Sequence, residues 1–123
     1  MANDPQAIGK AFLEHYYGTF SKNRAELAPL FKDKSMMSYE GTNCQGQKSI
    51  MQKLASLQFS KVKHDPKTMD AQPSGAGGLL IVVTGDIFID ENQNGVKYCE
   101  TFHLMKDNNN FWVHNLVFRL NYC

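Results

Sequence analysis

Three apolar runs in the second half of the chain constrain the fold more than any other feature. They read GLLIVVTGDIFID, KYCETFHLMK and FWVHNLVFRLNY, and each is rich in the β-branched and aromatic residues that favour strands. Two short segments, ENQNG and KDNNN, separate the runs and contain the asparagines and glycine typical of hairpin turns. The pattern therefore predicts an antiparallel meander at the end of the chain.

The first half of the chain has helical periodicity instead. Asp4 and Pro5 suit the cap and first turn of a helix, and Asn23 can cap a second, shorter helix. A third helix is indicated by apolar residues at helical spacing, namely Ile50, Leu54 and Leu57. Because 123 residues is the length of one domain, we expect a single domain over residues 1–123. The predicted fold is α+β, with three helices against one face of a strongly bent antiparallel sheet.

Both faces of the predicted sheet are apolar, which is unusual for an antiparallel sheet with one face in water. The run LLIVVTGDIFI is apolar at odd and even positions alike, and strict alternation in the last run puts Val113 and Val117 on one face. Because three short helices can cover only one face, the pattern favours a symmetric dimer, with Val82 and Val117 at its interface. The alternative is a sheet bent strongly enough to cover itself.

Composition and charge argue against several classes of protein. A formal net charge of +1 gives no electrostatic basis for binding nucleic acid. Three widely spaced cysteines favour reduced thiols over a disulfide scaffold, and the four histidines lack metal-site spacing, so we expect neither metal nor cofactor. The polar start of the chain and the shortness of its longest aliphatic run, LLIVV, indicate an intracellular protein without a membrane span.

Acidic residues at two predicted strand ends are the remaining candidates for function. Glu40 follows Tyr39, and Asp90 and Glu91 follow the apolar run that ends at Ile89. Taken alone, such residues are more often solvated strand ends, since charged side chains are mostly exposed. The residues by themselves therefore predict an α+β dimer with acids near an apolar surface, and no more.

Several longer strings carry a resemblance that covers nearly the whole chain. FLEHYYGTF, MMSYEGTNCQG, LASLQFSKVKH, DAQP, TGDIFIDENQN and VFRLNY occur in this order, and the sequence resembles the nuclear transport factor 2 family. The resemblance implies a cone-like roll of three helices and a bent sheet, and a homodimer formed sheet to sheet. It also implies a carrier in the cytoplasm, nucleus and nuclear pore, not an enzyme. The carrier would bind the GDP form of the Ran GTPase and phenylalanine-glycine repeats of nucleoporins, and so return Ran to the nucleus.

The resemblance also implies a site for Ran, in which an apolar cavity takes an aromatic side chain and acids around the mouth pair with basic residues. The cavity residues it implies are Tyr39, Leu57, Val62 and Phe118. The rim residues are Glu40, Asp90, Glu91 and Asn92. This sequence departs from the family pattern at two of these positions, since Tyr39 stands where animal relatives have tryptophan and Asn92 stands where the family has an acid.

A second site implied by the resemblance binds the nucleoporin repeats. The N-terminal aromatic residue that contributes to this site in the family is missing here, where the local sequence is NDPQAIG. The residues implied in its place are Pro5 and Ile8, together with Gln72 and Pro73 of the other subunit.

Two rival functions come from relatives with the same fold. In the first, an isomerase or dehydratase would use a carboxylate base in the conical cavity and a tyrosine such as Tyr16, Tyr17 or Tyr39. Asp86 is the acid within a strand that such an enzyme could turn inward. The second rival is an interaction domain paired with a messenger-RNA export receptor, although those heterodimeric relatives diverge from the strings above.

Overall fold

The computed structural model describes residues 4–58 and 61–121. Two α-helices, α1 and α2, and one 3₁₀ helix lie in the first half of these residues. Six strands make up most of the rest. The helices are α1 (Pro5–Lys22), the 3₁₀ helix (Arg24–Leu30) and α2 (Gln47–Ala55). The strands are β1 (Phe31–Tyr39), β2 (Thr42–Gln45), β3 (Val62–Pro73), β4 (Leu79–Ile89), β5 (Val96–Asp107) and β6 (Asn110–Asn121).

The helix boundaries follow the predicted capping chemistry. The Asp4 side chain accepts a hydrogen bond of 3.1 Å from the backbone N–H of Gln6, at the start of α1. Asn23 ends α1 and also caps the next helix, since its side chain accepts a 3.1 Å hydrogen bond from the backbone N–H of Ala25. That helix contains Pro29 and is of the tighter 3₁₀ type. The predicted helix caps are confirmed.

The sheet is mixed, which corrects the prediction of an antiparallel sheet. The strand order is β2-β1-β6-β5-β4-β3, and all neighbours are antiparallel except β1 and β6, which run parallel. The predicted meander is present in strands β3 to β6. Alternation of apolar residues does not encode pairing direction, and the partners of β1 residues in β6 are 79 to 82 positions further along the chain. Sequence pattern therefore predicted strands β4 to β6 but missed β2 and the parallel pair.

The core lies between the inner face of the sheet and the helices. Its largest fully buried side chains include Tyr16, Phe31, Tyr98, Phe102 and Phe118. The β5–β6 register shifts where His103 pairs with Asn115 and Leu104 pairs with Val113, so His114 is an extra residue in β6. This bulge turns Val113 into the core. The predicted placement of Val113 beside Val117 on the outer face was therefore wrong.

Two further observations concern the chain as a whole. In the part of the chain that the structure describes, no helix has the length and hydropathy needed to cross a membrane. Cys44 is a buried free thiol and Cys99 an exposed one, while Cys123 lies outside the described residues.

Candidate functional site: an aromatic cavity with acidic residues at its mouth

A cavity of about 180 Å³ lies between the end of α2 and the ends of strands β1, β4 and β6. Its lining residues are Tyr39, Glu40, Lys53, Leu57, Ile87, Ile89, Phe118 and Leu120. We call this space the aromatic cavity. It contains three of the four predicted cavity residues, since Tyr39, Leu57 and Phe118 all line it.

Two aromatic rings form one wall of the aromatic cavity. Tyr39 and Phe118 are paired across the parallel strands β1 and β6, and their rings stack with centroids 4.4 Å apart and planes within 11°. Phe118 stacks in turn on Tyr98, at 5.7 Å. Burial, with the nearby carboxyl of Glu100 as the next cause, raises the pKa of Tyr39, so its hydroxyl stays neutral. The wall is therefore aromatic and uncharged.

Glu40 and Asp90 occupy equivalent positions at two strand ends. Each directly follows a lining residue, Tyr39 or Ile89, and each has a positive φ, 51° for Glu40 and 54° for Asp90. Such angles are uncommon for residues other than glycine, and these two residues end their strands in a turn. Of the predicted rim residues, Glu40 lines the cavity itself, whereas Asp90, Glu91 and Asn92 are not among its lining residues and follow the lining residue Ile89 in the chain.

Backbone hydrogen bonds hold both of these carboxylates. Glu40 Oε2 accepts from the backbone N–H of Leu120 at 2.7 Å. Asp90 Oδ1 accepts from the backbone N–H of Lys61 at 3.0 Å, and the Asp90 N–H donates to the Lys61 carbonyl at 2.7 Å. A carboxylate fixed by a backbone donor loses less entropy when a cation binds it, so the two acids are prearranged to receive positive charge.

The remaining two predicted rim residues have other partners. Glu91 forms an ion pair with Lys61 Nζ at 3.2 Å, and both side chains are largely exposed. Asn92 Oδ1 accepts from the backbone N–H of Asn94 at 2.9 Å, which makes it part of the turn. Lys53 also lines the cavity, so the rim combines acids with local lysines.

Val62 lies elsewhere. It is buried and pairs with Ile89 across β3 and β4, but it lines a separate cavity of about 510 Å³ beside the end of α1 and the 3₁₀ helix. In its place the aromatic cavity has Ile87, Ile89 and Leu120, which sequence reasoning did not assign. A signal was available in strand parity, since Ile87 and Ile89 are two residues apart in β4, and Leu120 is two residues from the predicted Phe118 in β6.

The predicted nucleoporin residues lie around the start of α1 and the end of β3. Pro5 and Ile8 are half-buried on α1, whereas Gln72 and Pro73 are exposed. Gln6 holds the two elements together: its side chain donates to the Met69 carbonyl at 2.6 Å and accepts from the Ala71 N–H at 3.1 Å. These bonds were not predicted, and they fix α1 against the edge strand of the sheet.

The outer face of the sheet is apolar and open in the single chain. Val82 and Val117 lie in one row across β4, β5 and β6, each paired with Thr101. Val82 is 37% exposed and Val117 is 45% exposed, and Leu80 and Met36 on the same side of the sheet are also exposed. A group of apolar side chains of this kind on one face indicates an interaction surface.

The acid that faces the core is Glu100, and the expectation for Asp86 was wrong. In β4 the buried positions are Leu79, Ile81 and their odd-numbered successors, so Asp86 falls on the outer face. Glu100 is only 1% exposed and accepts a 2.8 Å hydrogen bond from the Tyr17 hydroxyl. Burial raises the pKa of Glu100 to about 8.

This carboxyl is buried and lines neither the aromatic cavity nor the larger cavity beside Val62, so it is closed to substrate. The rival reading as an enzyme requires a base in reach of a substrate carbon, and Glu100 does not meet that condition. Within the described ranges, 4–58 and 61–121, no three acidic, histidine or cysteine side chains are grouped so as to hold a metal ion.

Comparison with known proteins gives consistent matches over the full chain. The family model of the nuclear transport factor 2 (NTF2) domain matches residues 8–120. Nuclear transport factor 2 of Emericella nidulans is 49% identical over 121 residues, covering 97% of each chain. Nuclear transport factor 2B of Arabidopsis thaliana is 46% identical over 122 residues, covering 98% of this chain and 97% of that protein. The solved structure of nuclear transport factor 2 from Cryptosporidium parvum superposes with a TM-score of 0.91 at 41% identity, covering 97% and 96% of the two chains.

Proposed function

Because this chain belongs to the nuclear transport factor 2 domain family, we propose that it carries the GDP form of the Ran GTPase into the nucleus. The names of its relatives confirm the prediction of a nuclear transport factor that is not an enzyme. Binding of Ran, binding of nucleoporin repeats and dimerisation are the finer parts of this proposal. The observation that carries it is the aromatic cavity, which Glu40 lines and which Asp90 adjoins through the lining residue Ile89.

The size and lining of the aromatic cavity suit one aromatic side chain. An apolar cavity of about 150 Å³ in a protein is large enough to take benzene. The aromatic cavity has about 180 Å³ and is lined by the stacked rings of Tyr39 and Phe118, with aliphatic side chains opposite. An inserted ring would therefore bury most of its surface, which is typical of the anchor residue of a protein interface.

The acids at the mouth supply the second element of recognition. Glu40 and Asp90 accept hydrogen bonds from backbone N–H groups at 2.7 Å and 3.0 Å, and carboxylates held in this way can form charge-assisted pairs with lysine or arginine of Ran. Lys61 already pairs with Glu91, so part of the rim charge is compensated within the chain. We therefore assign the main electrostatic role to Glu40 and Asp90.

Two further surfaces complete the proposed carrier. The outer sheet face around Val82 and Val117 would meet a second copy, which would remove its apolar side chains from water. The phenylalanine-glycine repeats would bind where Pro5 and Ile8 of one subunit meet Gln72 and Pro73 of the other. A half-buried Ile8 offers apolar surface to a phenylalanine ring, in a region that lacks the aromatic residue of the family.

The experiment that tests the proposal is a pull-down with the immobilised full chain and purified Ran in each nucleotide state. We expect retention of the GDP form and none of the form loaded with a GTP analogue. Equal retention of both forms, or of neither, would contradict the proposal.

A rim variant adds a residue-level control. Glu40→Gln keeps an oxygen for the Leu120 N–H but removes the charge, so the fold is maintained while the pairing with Ran is lost. We expect this variant to bind GDP-loaded Ran about 30-fold more weakly, which corresponds to roughly 2 kcal/mol. Asp33→Asn, on an exposed position of β1 away from the cavity, should bind like the wild type.

A further inference from the structure

A second cavity, of about 470 Å³, lies between α1 and the edge strand β3. We call it the α1–β3 cavity. Its inner wall includes Leu13, Tyr17 and His64, which are buried, and Met69, which is half-buried. It shares no lining residue with the aromatic cavity. Its volume falls in the range of roughly 300–1,000 Å³ that is common for small-molecule sites.

His64 is the unusual residue in this wall. It is 8% exposed, and its ring lies flat on the ring of Tyr17, with centroids 4.1 Å apart and planes within 6°. Its Nδ1 is completely buried and has no hydrogen-bond partner among the described residues. Because Nδ1 is closed to the cavity as well, a ligand can reach His64 only through its other ring nitrogen, Nε2.

The protonation state of His64 follows from its surroundings. Burial lowers the pKa of His64 to about 3, so the imidazole is neutral at physiological pH and has one N–H and one acceptor nitrogen. A buried acceptor without a partner is better tolerated than a buried N–H without one. The proton therefore belongs on Nε2, and His64 can donate a hydrogen bond to a ligand only through that nitrogen.

One lysine at the cavity mouth is open to an anion. Two lysines and one glutamate line the exposed part, Lys10, Lys67 and Glu14, and the mouth is neutral as a whole once Asp65 beside Lys67 is included. Lys67 Nζ is already 2.9 Å from Asp65 Oδ2. Lys10 has no ion pair with any residue that the structure describes, so its ammonium is available to a ligand.

We infer that the α1–β3 cavity binds a small planar molecule with an aromatic body and a carboxylate. Its ring packs against Tyr17 and Leu13, and its carboxylate accepts from the Nε2–H of His64. Lys10 supplies the opposite charge at the mouth. A ligand of this kind uses each feature of the cavity: the apolar inner wall, the single buried donor and the unpaired ammonium.

The test is a titration of the full chain with 2-naphthoate. Binding is monitored through the ring signals of His64 in a long-range ¹H–¹⁵N spectrum. We expect saturable binding, with shifts of the His64 ring nitrogens and of neighbouring α1 amides. The neutral analogue 2-methylnaphthalene should bind at least about 10-fold more weakly. Absence of a His64 shift at saturation, or equal binding of the neutral analogue, would overturn the inference.

Matched variants separate the roles of the two residues. His64→Phe retains a ring on Tyr17 but has no N–H, and it should bind 2-naphthoate at least about 10-fold more weakly. Lys10→Gln changes only an exposed side chain of α1 and should weaken binding of 2-naphthoate about threefold or more. This variant keeps the inference testable if His64→Phe does not fold. Lys53→Gln, in the aromatic cavity, should leave binding of 2-naphthoate unchanged, and a loss there would count against this cavity as the site.

A peptide is the alternative occupant, and it has a distinct result. If a phenylalanine-glycine peptide shifts the His64 signals while 2-naphthoate does not, the cavity is a peptide site and the inference is wrong. The result for Ran is independent, because neither His64 nor Lys10 lines the aromatic cavity.

Discussion

Replacing Glu100 with glutamine should reduce the loss of stability that the wild-type protein suffers at alkaline pH. Glu100 is 1% exposed and receives a hydrogen bond from the Tyr17 hydroxyl. Glutamine has nearly the same shape, and its carbonyl oxygen can accept the same hydrogen bond. The substitution therefore removes the ionisable group while it retains the packing and the contact with Tyr17.

The size and sign of the effect follow from the pKa of Glu100. Burial raises this pKa from 4.5 to about 8, so the folded protein binds more protons than the unfolded chain between these two values. The contribution of Glu100 to stability is fully present below pH 4.5, and it is lost progressively as the pH rises to about 8. At about 1.4 kcal/mol per pH unit, the whole interval amounts to roughly 5 kcal/mol, and the part above pH 6.5 to up to about 2 kcal/mol.

A second buried group fixes the pH range in which this effect is measured. Burial lowers the pKa of His64 from 6.5 to about 3, so its contribution to stability is present above pH 6.5 and is lost as the pH falls towards 3. The two groups have opposite slopes below pH 6.5. Well above pH 6.5 His64 is neutral in both states, and comparison of the wild type with Glu100→Gln cancels the part of its titration that remains.

The assay is urea unfolding of the wild type and Glu100→Gln at several pH values from 6.5 to 8.5, at fixed protein concentration. The difference between the two free energies of unfolding isolates Glu100 from other titrating groups. We expect the difference to shift in favour of the variant by up to about 2 kcal/mol across this range. A difference that stays constant with pH would refute the assignment of a protonated, buried carboxyl.

Three further predictions concern the dimer, the sheet edge and the rim. Val117→Glu should give a monomer or an unfolded chain in sedimentation velocity, since a charge would be buried without a partner in the proposed interface. Lys48→Glu on α2 is the control and should remain dimeric. A Val117→Glu variant that remains an unchanged dimer would exclude the sheet-to-sheet arrangement. Gln6→Ala should lower the free energy of unfolding in urea by about 1 kcal/mol, since two hydrogen bonds to β3 are lost, and an effect no larger than that of Gln52→Ala would count against this role. Asn92→Asp should raise the association rate with GDP-loaded Ran by an amount that decreases with added salt, and a gain of roughly 0.2–1 kcal/mol is expected; no change at low salt would show that this position lies outside the interface.

Local features of the fold were predictable from the sequence. The caps at Asp4 and Asn23 use side chains whose short reach determines where a helix begins, so neighbouring residues are sufficient to predict them. The strands β4 to β6 follow from composition and from the turn residues between them. The apolar outer face around Val117 followed from the same alternation.

Three features depend on long-range pairing and could not be read from local pattern. The parallel pairing of β1 with β6 joins distant segments, and the bulge at His114 reverses which side of β6 faces the core. Val62 has the apolar character of a cavity residue, yet the sheet places it beside a different cavity. Such placements are decided by tertiary packing and not by the residue type.

Glu100 is a different case, because the pattern contained the information. Tyr98, Phe102 and Leu104 have the same strand parity as Glu100 and are buried. Parity therefore placed Glu100 inward, and placed Asp86 outward with Val82. The prediction of Asp86 as the inward acid relied on its place within a strand, beside Gly85. It did not use strand parity, which points Asp86 outward.

The most direct test of the proposed carrier is calorimetry of GDP-loaded Ran with a variant whose aromatic cavity is filled. Leu57→Trp enlarges a half-buried lining residue and leaves Glu40 and Asp90 unchanged, so it blocks the insertion of a ring while the rim charges are retained. The proposal predicts at least about 30-fold weaker binding than the wild type, equivalent to about 2 kcal/mol, with the fold verified by circular dichroism. A folded Leu57→Trp variant that binds Ran as tightly as the wild type would contradict the claim that an aromatic side chain of Ran enters this cavity.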